Sequence, residues 1–171
     1  MSEAFAAAYS TLSRAAAFLS DGLGIPEGGT LGRGTARVIG NSLRELDRFL
    51  NLLIDEAAIG HGLAVAPRQH NTANKLARLR AALDQPDDDH HQLRAMGRTR
   101  EWLFHCGGAV PHGEPMPGWA PATGALGSPG ETMRITRATL ADIGSFYTNV
   151  AASLPAGGGP DQPTISSGLK K

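Results

Sequence analysis

Apolar residues recur along the chain at intervals of three and four, and the intervals break at clusters of glycine and proline, a pattern of helices joined by loops. From about Glu3 to Leu19, the residues Phe5, Tyr9, Leu12, Ala16 and Leu19 form one stripe, ended by Asp21-Gly22. Residues 21 to 34 carry six glycines and Pro26 and read as a loop. A longer helix is predicted from about Thr35 to Gly60. Its Val38, Ile39, Leu43, Leu46, Phe49, Leu50, Leu53, Ile54 and Ala57 trace a face wide enough to pack on two neighbours, which makes it the central helix. Gly60, Gly62 and Pro67 interrupt the pattern before a short third helix from Asn71 to Leu83, capped by Asn71 or Thr72.

Pro86 then precedes Asp87-Asp88-Asp89, an acidic first turn for a fourth helix that continues to about Cys106 with Gly97 as its weak point. Residues 107 to 130, with seven glycines and five prolines, read as a long loop. Met133 to Ile135 suit a short extended piece, and Thr136 is placed to cap a fifth helix from Arg137 to Leu154 with Leu140, Ile143, Tyr147, Val150, Ala151 and Leu154 at core spacing. The predicted architecture is all-α: an up-and-down bundle of about five helices with a long Gly/Pro-rich loop before the last. It forms a single domain over residues 1–154, followed by a disordered tail over residues 155–171.

A chain of 171 residues can bury a core without staples. Its 16 Lys plus Arg equal its 16 Asp plus Glu, so no basic excess exists to hold a long duplex nonspecifically, although a local anion site is allowed. The lone Cys106 excludes an internal disulfide and a cysteine-based zinc cage within one chain, and points to a reducing compartment. Glu3 stands where a secretory signal would be basic, and no apolar run reaches the ~18 residues of a membrane span. The expected location is cytoplasmic, with no membrane partner.

Chemistry concentrates in Arg100-Glu101-Trp102-Leu103-Phe104-His105-Cys106-Gly107-Gly108. Arginine is a permanent cation that forks onto phosphate, and histidine is the side chain whose charge changes nearest neutral pH, so the pair suits phosphodiester work. A histidine in the last turn of a helix is also favoured by the helix dipole alone. At about 100° per residue, Arg100 and His105 lie about 140° apart, with Arg100 among Leu93, Met96, Leu103 and Phe104. Arg98 and His105 lie only about 20° apart, so either arginine can be the partner. Arg94 and Arg98 are the candidate substrate-binding cations, in a stretch from residue 75 to 100 made locally basic by Lys75, Arg78, Arg80, Arg94, Arg98 and Arg100.

The segment resembles the Arg-x4-His signature of the HEPN superfamily, the prokaryotic and eukaryotic nucleotide-binding helical domains that include metal-independent endoribonucleases. The Gly107-Gly108 turn is similar to the one such domains often have after the histidine. Residues Gly130 to Thr136, leading into a helix with Phe146-Tyr147 and Ala151, resemble the piece that closes these bundles. The long second helix with Glu45 and Asp47 resembles the helix packed beside the motif helix. The resemblance implies cleavage of single-stranded RNA without metal or cofactor, with Arg100, His105 and Glu101 as catalytic residues. It also implies a two-fold homodimer and an antitoxin partner. Glu101 departs from the Asn, Asp or His most common at that position, and the alternative is an inactive RNA- or nucleotide-binding or protein-interaction module.

Other constellations have plainer readings. Asp87 to Asp89 with His90-His91 contain metal-ligating types, but consecutive helical residues diverge, and the dipole accounts for the acids. Trp102 lies away from the local apolar stripe, where a ring packs on another helix or a partner chain more often than on a base. Cys106 splays about 100° from His105, which is unsuited to a thiol nucleophile. His61, His70 and His112 read as solvated.

Overall fold

The computed structural model describes residues 2–21, 31–65, 71–111 and 130–155. Those residues form five helices: α1 (Glu3–Ser20), α2 (Arg33–Gly60), α3 (Thr72–Ala82), α4 (His90–His105) and α5 (Arg137–Ser153). The all-α class read from periodicity is the class observed. The central stretch of the long Gly/Pro-rich loop (112–129), nearly all of the tail (156–171), His70 and His112 lie outside the described residues.

Local sequence explains most helix starts. The Ser2 side chain accepts from the Phe5 amide, and the Asn71 side chain accepts from the Asn74 amide at 3.1 Å. Thr136 accepts from the Thr139 amide while the Thr139 hydroxyl accepts from the Thr136 amide, a reciprocal cap. The central helix begins at Arg33, two residues before the predicted start, with Gly32 at the cap position and no side-chain cap.

The hub is α2, which packs on each of the other four helices, while α1 also packs on α5 and α3 on α4. Leu43, Leu46, Leu50 and Leu53 are fully buried along α2 and join Leu12, Leu19, Leu76, Met96, Leu103 and Tyr147 in one core. Val38, expected on the apolar face, is 50 % exposed, because the face ends between it and its buried neighbour Ile39. Trp102 is buried: α4 lies between α2 and α3 and therefore has two apolar sides, so a ring off its main stripe still enters the core. Beyond α4, Gly107 and Gly108 take φ of 61° and 87°, a left-handed turn that favours glycine. The chain then forms an isolated antiparallel bridge, Ala109 with Thr132, in which Met133 donates to Gly108 and Val110 donates to Glu131. Of the predicted extended piece at Met133–Ile135, only Met133 takes part in this bridge, through its bond to Gly108.

One expectation is corrected. Asp87 to Asp89 do not make an acidic first turn; they precede α4, and Asp89 at its cap makes no side-chain cap bond. The buried Arg80 takes two of them instead, donating to Asp89 Oδ2 at 2.5 Å and Asp87 Oδ1 at 3.4 Å. His90 Nδ1 stands 3.2 Å from Asp87 Oδ2 without hydrogen-bond geometry. A guanidinium held out of water needs carboxylates more than a solvated helix end does.

Two glycines inside helices have opposite surroundings. A Cβ on Gly144 would lie 2.5 Å from Ser20 Oγ and 2.8 Å from the Ala16 carbonyl oxygen, so α1 and α5 touch through that missing side chain. A Cβ on Gly97 would meet nothing within 4 Å. Chemical denaturation is expected to show Gly144→Ala destabilised by about 1–3 kcal/mol through overpacking. Gly97→Ala is expected to be stabilised by up to about 1 kcal/mol through helix propensity.

Candidate functional site

The conserved geometry of an α-helix puts residues spaced by four and seven on one side, and α2 uses that spacing for Arg33, Arg37, Gly40, Arg44, Asp47, Arg48 and Asn51, all within about 100°. This side faces α4. Gly40 permits the approach: a Cβ there would stand 3.1 Å from the Phe104 amide nitrogen and 3.3 Å from Leu103 Cβ. Between the two helices runs a groove of about 570 Å³ lined by Arg44, Glu45, Arg48, Arg100, Glu101 and His105. A second depression of about 360 Å³ continues it past His105, between Arg33, Arg37 and Gly107.

Arg100 is tied to the floor of this groove. Its Nη1 donates to Asp47 Oδ2 at 2.5 Å, and its Nε and Nη2 donate to Glu101 Oε1 at 3.2 and 3.0 Å. The other Asp47 oxygen accepts from the Tyr147 hydroxyl at 3.2 Å. Asn51 joins the Asp47 carbonyl to the Thr72 hydroxyl, which carries the network to α3. Burial raises the Asp47 pKa, and Arg100, Thr72 and Tyr147 only partly offset it. For Arg100, burial opposes the charge, but Asp47 and Glu101 outweigh it and raise its pKa. The fully buried Tyr147 is raised well above the usual phenol range by burial first and by Asp47 second.

Glu101 resolves the question of 140°. It stands between Arg100 and His105 around the helix, and while one of its oxygens accepts from Arg100, the other lies 3.3 Å from His105 Nε2. A long side chain thus joins two residues that the helix itself turns apart. Arg98, two turns from His105 along the axis, lines the cleft on the other flank of the Arg100–Asp47 pair and is not among the residues that line either depression around the histidine. His105 is the last residue of α4, well exposed, with its ring edge-to-face on Phe104 at 4.8 Å; the Arg37 guanidinium lies 5.2 Å from the centre of that same Phe104 ring. Cys106 is exposed just beyond the helix.

The local basic stretch from 75 to 100 is more divided than its sequence indicates. Lys75 pairs with Asp55 at 2.7 Å, Arg80 with Asp87 and Asp89, and Arg100 with Asp47. Arg94 and Arg98 have no carboxylate partner among the described residues; both line a cleft of about 410 Å³ on the other flank of the Arg100–Asp47 pair, with Trp102 and Gly97. Arg33, Arg37, Arg44 and Arg48 are groove residues that the motif-centred reading missed. Their signal was a spacing of four, seven and four on one helix face, hidden among the acids that make the chain neutral. Tyr147 was read as core alone.

Removing the Asp47 carboxylate takes the buried acceptor from Arg100 Nη1, leaving it only its exposed pair with Glu101, and leaves the buried Tyr147 hydroxyl without an acceptor. Asp47→Ala is expected to lose about 3 kcal/mol in urea denaturation, and Tyr147→Phe about 1.5 kcal/mol, as for a hydrogen bond to a charged group. Because the folded-state pKa of Tyr147 is raised, its contribution is complete below the unfolded value of about 10 and is lost as pH rises toward the folded one. Tyr147→Phe is therefore expected to show a smaller alkaline loss of stability than the parent chain, measured by circular dichroism across that range.

No protein-family model, no curated protein and no solved structure matches this chain.

Proposed function

We propose that the chain is a HEPN-like, metal-independent endoribonuclease that cleaves single-stranded RNA in the groove between α2 and α4. The observation that supports this reading is the convergence of Arg100, Glu101 and His105 on one groove whose opposite wall carries arginines at helical spacing. The groove and its extension hold five arginines against three carboxylates, so a chain of zero net charge still offers a locally cationic track. From Arg33 to Arg48 that track is about 22 Å long at 1.5 Å per residue.

In this reading the 2′-hydroxyl of the bound strand attacks the adjacent phosphorus and the bond to the 5′-oxygen of the next nucleotide breaks. The products are a 2′,3′-cyclic phosphate and a 5′-hydroxyl. His105 transfers a proton at one of the two oxygens, the second histidine of a homodimer serves the other, and Arg100 holds the phosphate oxygens on which charge develops. Arg100 stays anchored through Asp47 while Glu101, which is exposed, gives up its place to the phosphate. Homodimerisation and an antitoxin partner belong to this proposal through the family resemblance.

Glu101 favours one second reading, a catalytically silent RNA- or nucleotide-binding or interaction module, because its carboxylate occupies both the arginine and the histidine that a substrate phosphate would use. Cleavage of labelled single-stranded RNA in EDTA decides between the two. The enzyme reading expects His105→Ala to lose at least about a hundredfold in rate while light scattering shows the same oligomer as the parent. A folded parent dimer that binds RNA without cutting it establishes the second reading. In either case Arg44→Gln is expected to weaken RNA binding and to reduce the slope of log affinity against log salt by about 1.

A further inference from the structure

We propose that the cleft between the C-terminal half of α2 and α3 binds a small aliphatic carboxylate that carries a neutral hydrogen-bond donor, a hydroxyl or an amide N–H, beside its carboxyl group. This cleft shares no lining residue with the groove at His105 or with the cleft at Arg98, and the proposal does not depend on the cleavage reading.

The backbone accounts for a hollow at this place. At the end of α2 the Gly62 amide donates to the Ile59 carbonyl oxygen and the Leu63 amide to the Ala58 carbonyl oxygen, both at 2.9 Å, with Gly62 at a φ of 68°. This Schellman turn ends the helix and brings residues 63–65 back as one wall of a cleft that α3 completes. The volume is about 310 Å³, at the lower end of the range of small-molecule sites. Ile54, Ala58, Leu63 and Leu79 give it an apolar lining suited to a branched hydrocarbon body.

Three charged side chains stand in that lining. Lys75 is almost wholly buried, and its Nζ donates to Asp55 Oδ2 at 2.7 Å and to the Asn51 carbonyl oxygen at 3.3 Å. The other Asp55 oxygen, Oδ1, is shielded from water and accepts from no donor among the described residues. A carboxylate oxygen held in that state is a cost that a donor on a ligand would remove. Arg78, three residues from Lys75 on α3, is exposed and makes no ion pair among the described residues. Because Lys75 and Asp55 cancel, the lining keeps the one positive charge of Arg78, and its planar fork matches a carboxylate. The donor is neutral for a related reason. Asp55 already faces the Lys75 ammonium, and a second ammonium on the same carboxylate would be repelled by the first, whereas a hydroxyl or an amide supplies the proton without the charge.

The test follows amide chemical shifts of the isotope-labelled full chain by two-dimensional NMR during titration with five ligands. Two satisfy the site, 2-hydroxy-4-methylpentanoate and N-acetyl-leucinate. Three each lack one requirement: 4-methylpentanoate has no donor, lactate has no branched body, and L-leucine has a cationic donor. The first two are expected to shift the amides of Ala58, Leu63 and Arg78 saturably, at concentrations at least about tenfold lower than the other three. Arg78→Gln is expected to weaken this binding at least about tenfold. Ala82→Phe, which fills the cleft from the exposed last residue of α3, is expected to abolish it, with circular dichroism showing that both variants fold. None of the ligands contains a phosphate or a base, so a chain without ribonuclease activity tests the site equally well. The proposal fails if neither of the first two ligands shifts these amides in a folded chain, if 4-methylpentanoate, lactate or leucine binds as tightly, or if either variant binds like the parent. It also fails if the shifts gather at Phe104 and Gly107, the mark of an anion taken by the arginines of the groove.

Discussion

A carboxylate in the middle of the longest helix, removed from water, is the constraint to which the rest of the packing answers. Asp47 would be strongly destabilising alone, and the fold surrounds it with a cation from α4, a phenol from α5 and, through Asn51, the first turn of α3. Burial raises its pKa, against the lowering by Arg100, Thr72 and Tyr147. These contacts tie the register of the helices: sliding α4 by one turn would take Arg100 away from Asp47, and rotating α5 would do the same to Tyr147.

That register is also what shapes the surface. Gly40 lets the last turn of α4 lie against α2, and the Gly107-Gly108 turn then carries the chain away, so Phe104 and His105 are left beside the arginines of α2 instead of under a loop. Arg100 serves two roles through its several donors. One fixes it to the core; the others reach the groove, where Glu101 at present occupies them. Anchoring an arginine from behind restricts its rotamers.

Charge is organised by side rather than by quantity. The cations nearest α3 are consumed internally, Lys75 by Asp55 and Arg80 by Asp87 and Asp89, and act as struts. Those on the α4-facing side of α2, where Arg48 makes only an exposed pair with Glu45 at 3.6 Å, and Arg94 and Arg98 have no buried carboxylate partner among the described residues. A chain with equal numbers of acids and bases can therefore present two cationic clefts on either side of one ion pair, and its net charge of zero gives no warning of it.

Helix number, class and most boundaries were legible in the amino-acid sequence, because 3.6-residue periodicity and the capping chemistry of Asn71 and Thr136 are local properties. So was the segment bearing Arg100, Glu101 and His105. Its three-dimensional meaning was not legible. Whether Arg98 or Arg100 stands with His105 depends on the reach of the Glu101 side chain and on which neighbour covers each side of α4, and both are properties of packing. The partner of Arg100 lies 53 residues away on α2 and that of Asp47 a further hundred away on α5. Asp87 and Asp89 likewise pair with Arg80 and do not cap the helix they precede. Local pattern determined which residues could be inside; only tertiary contact decided which charges meet there, since a Coulomb partner is chosen by distance in space and burial, neither of which is written in sequence separation.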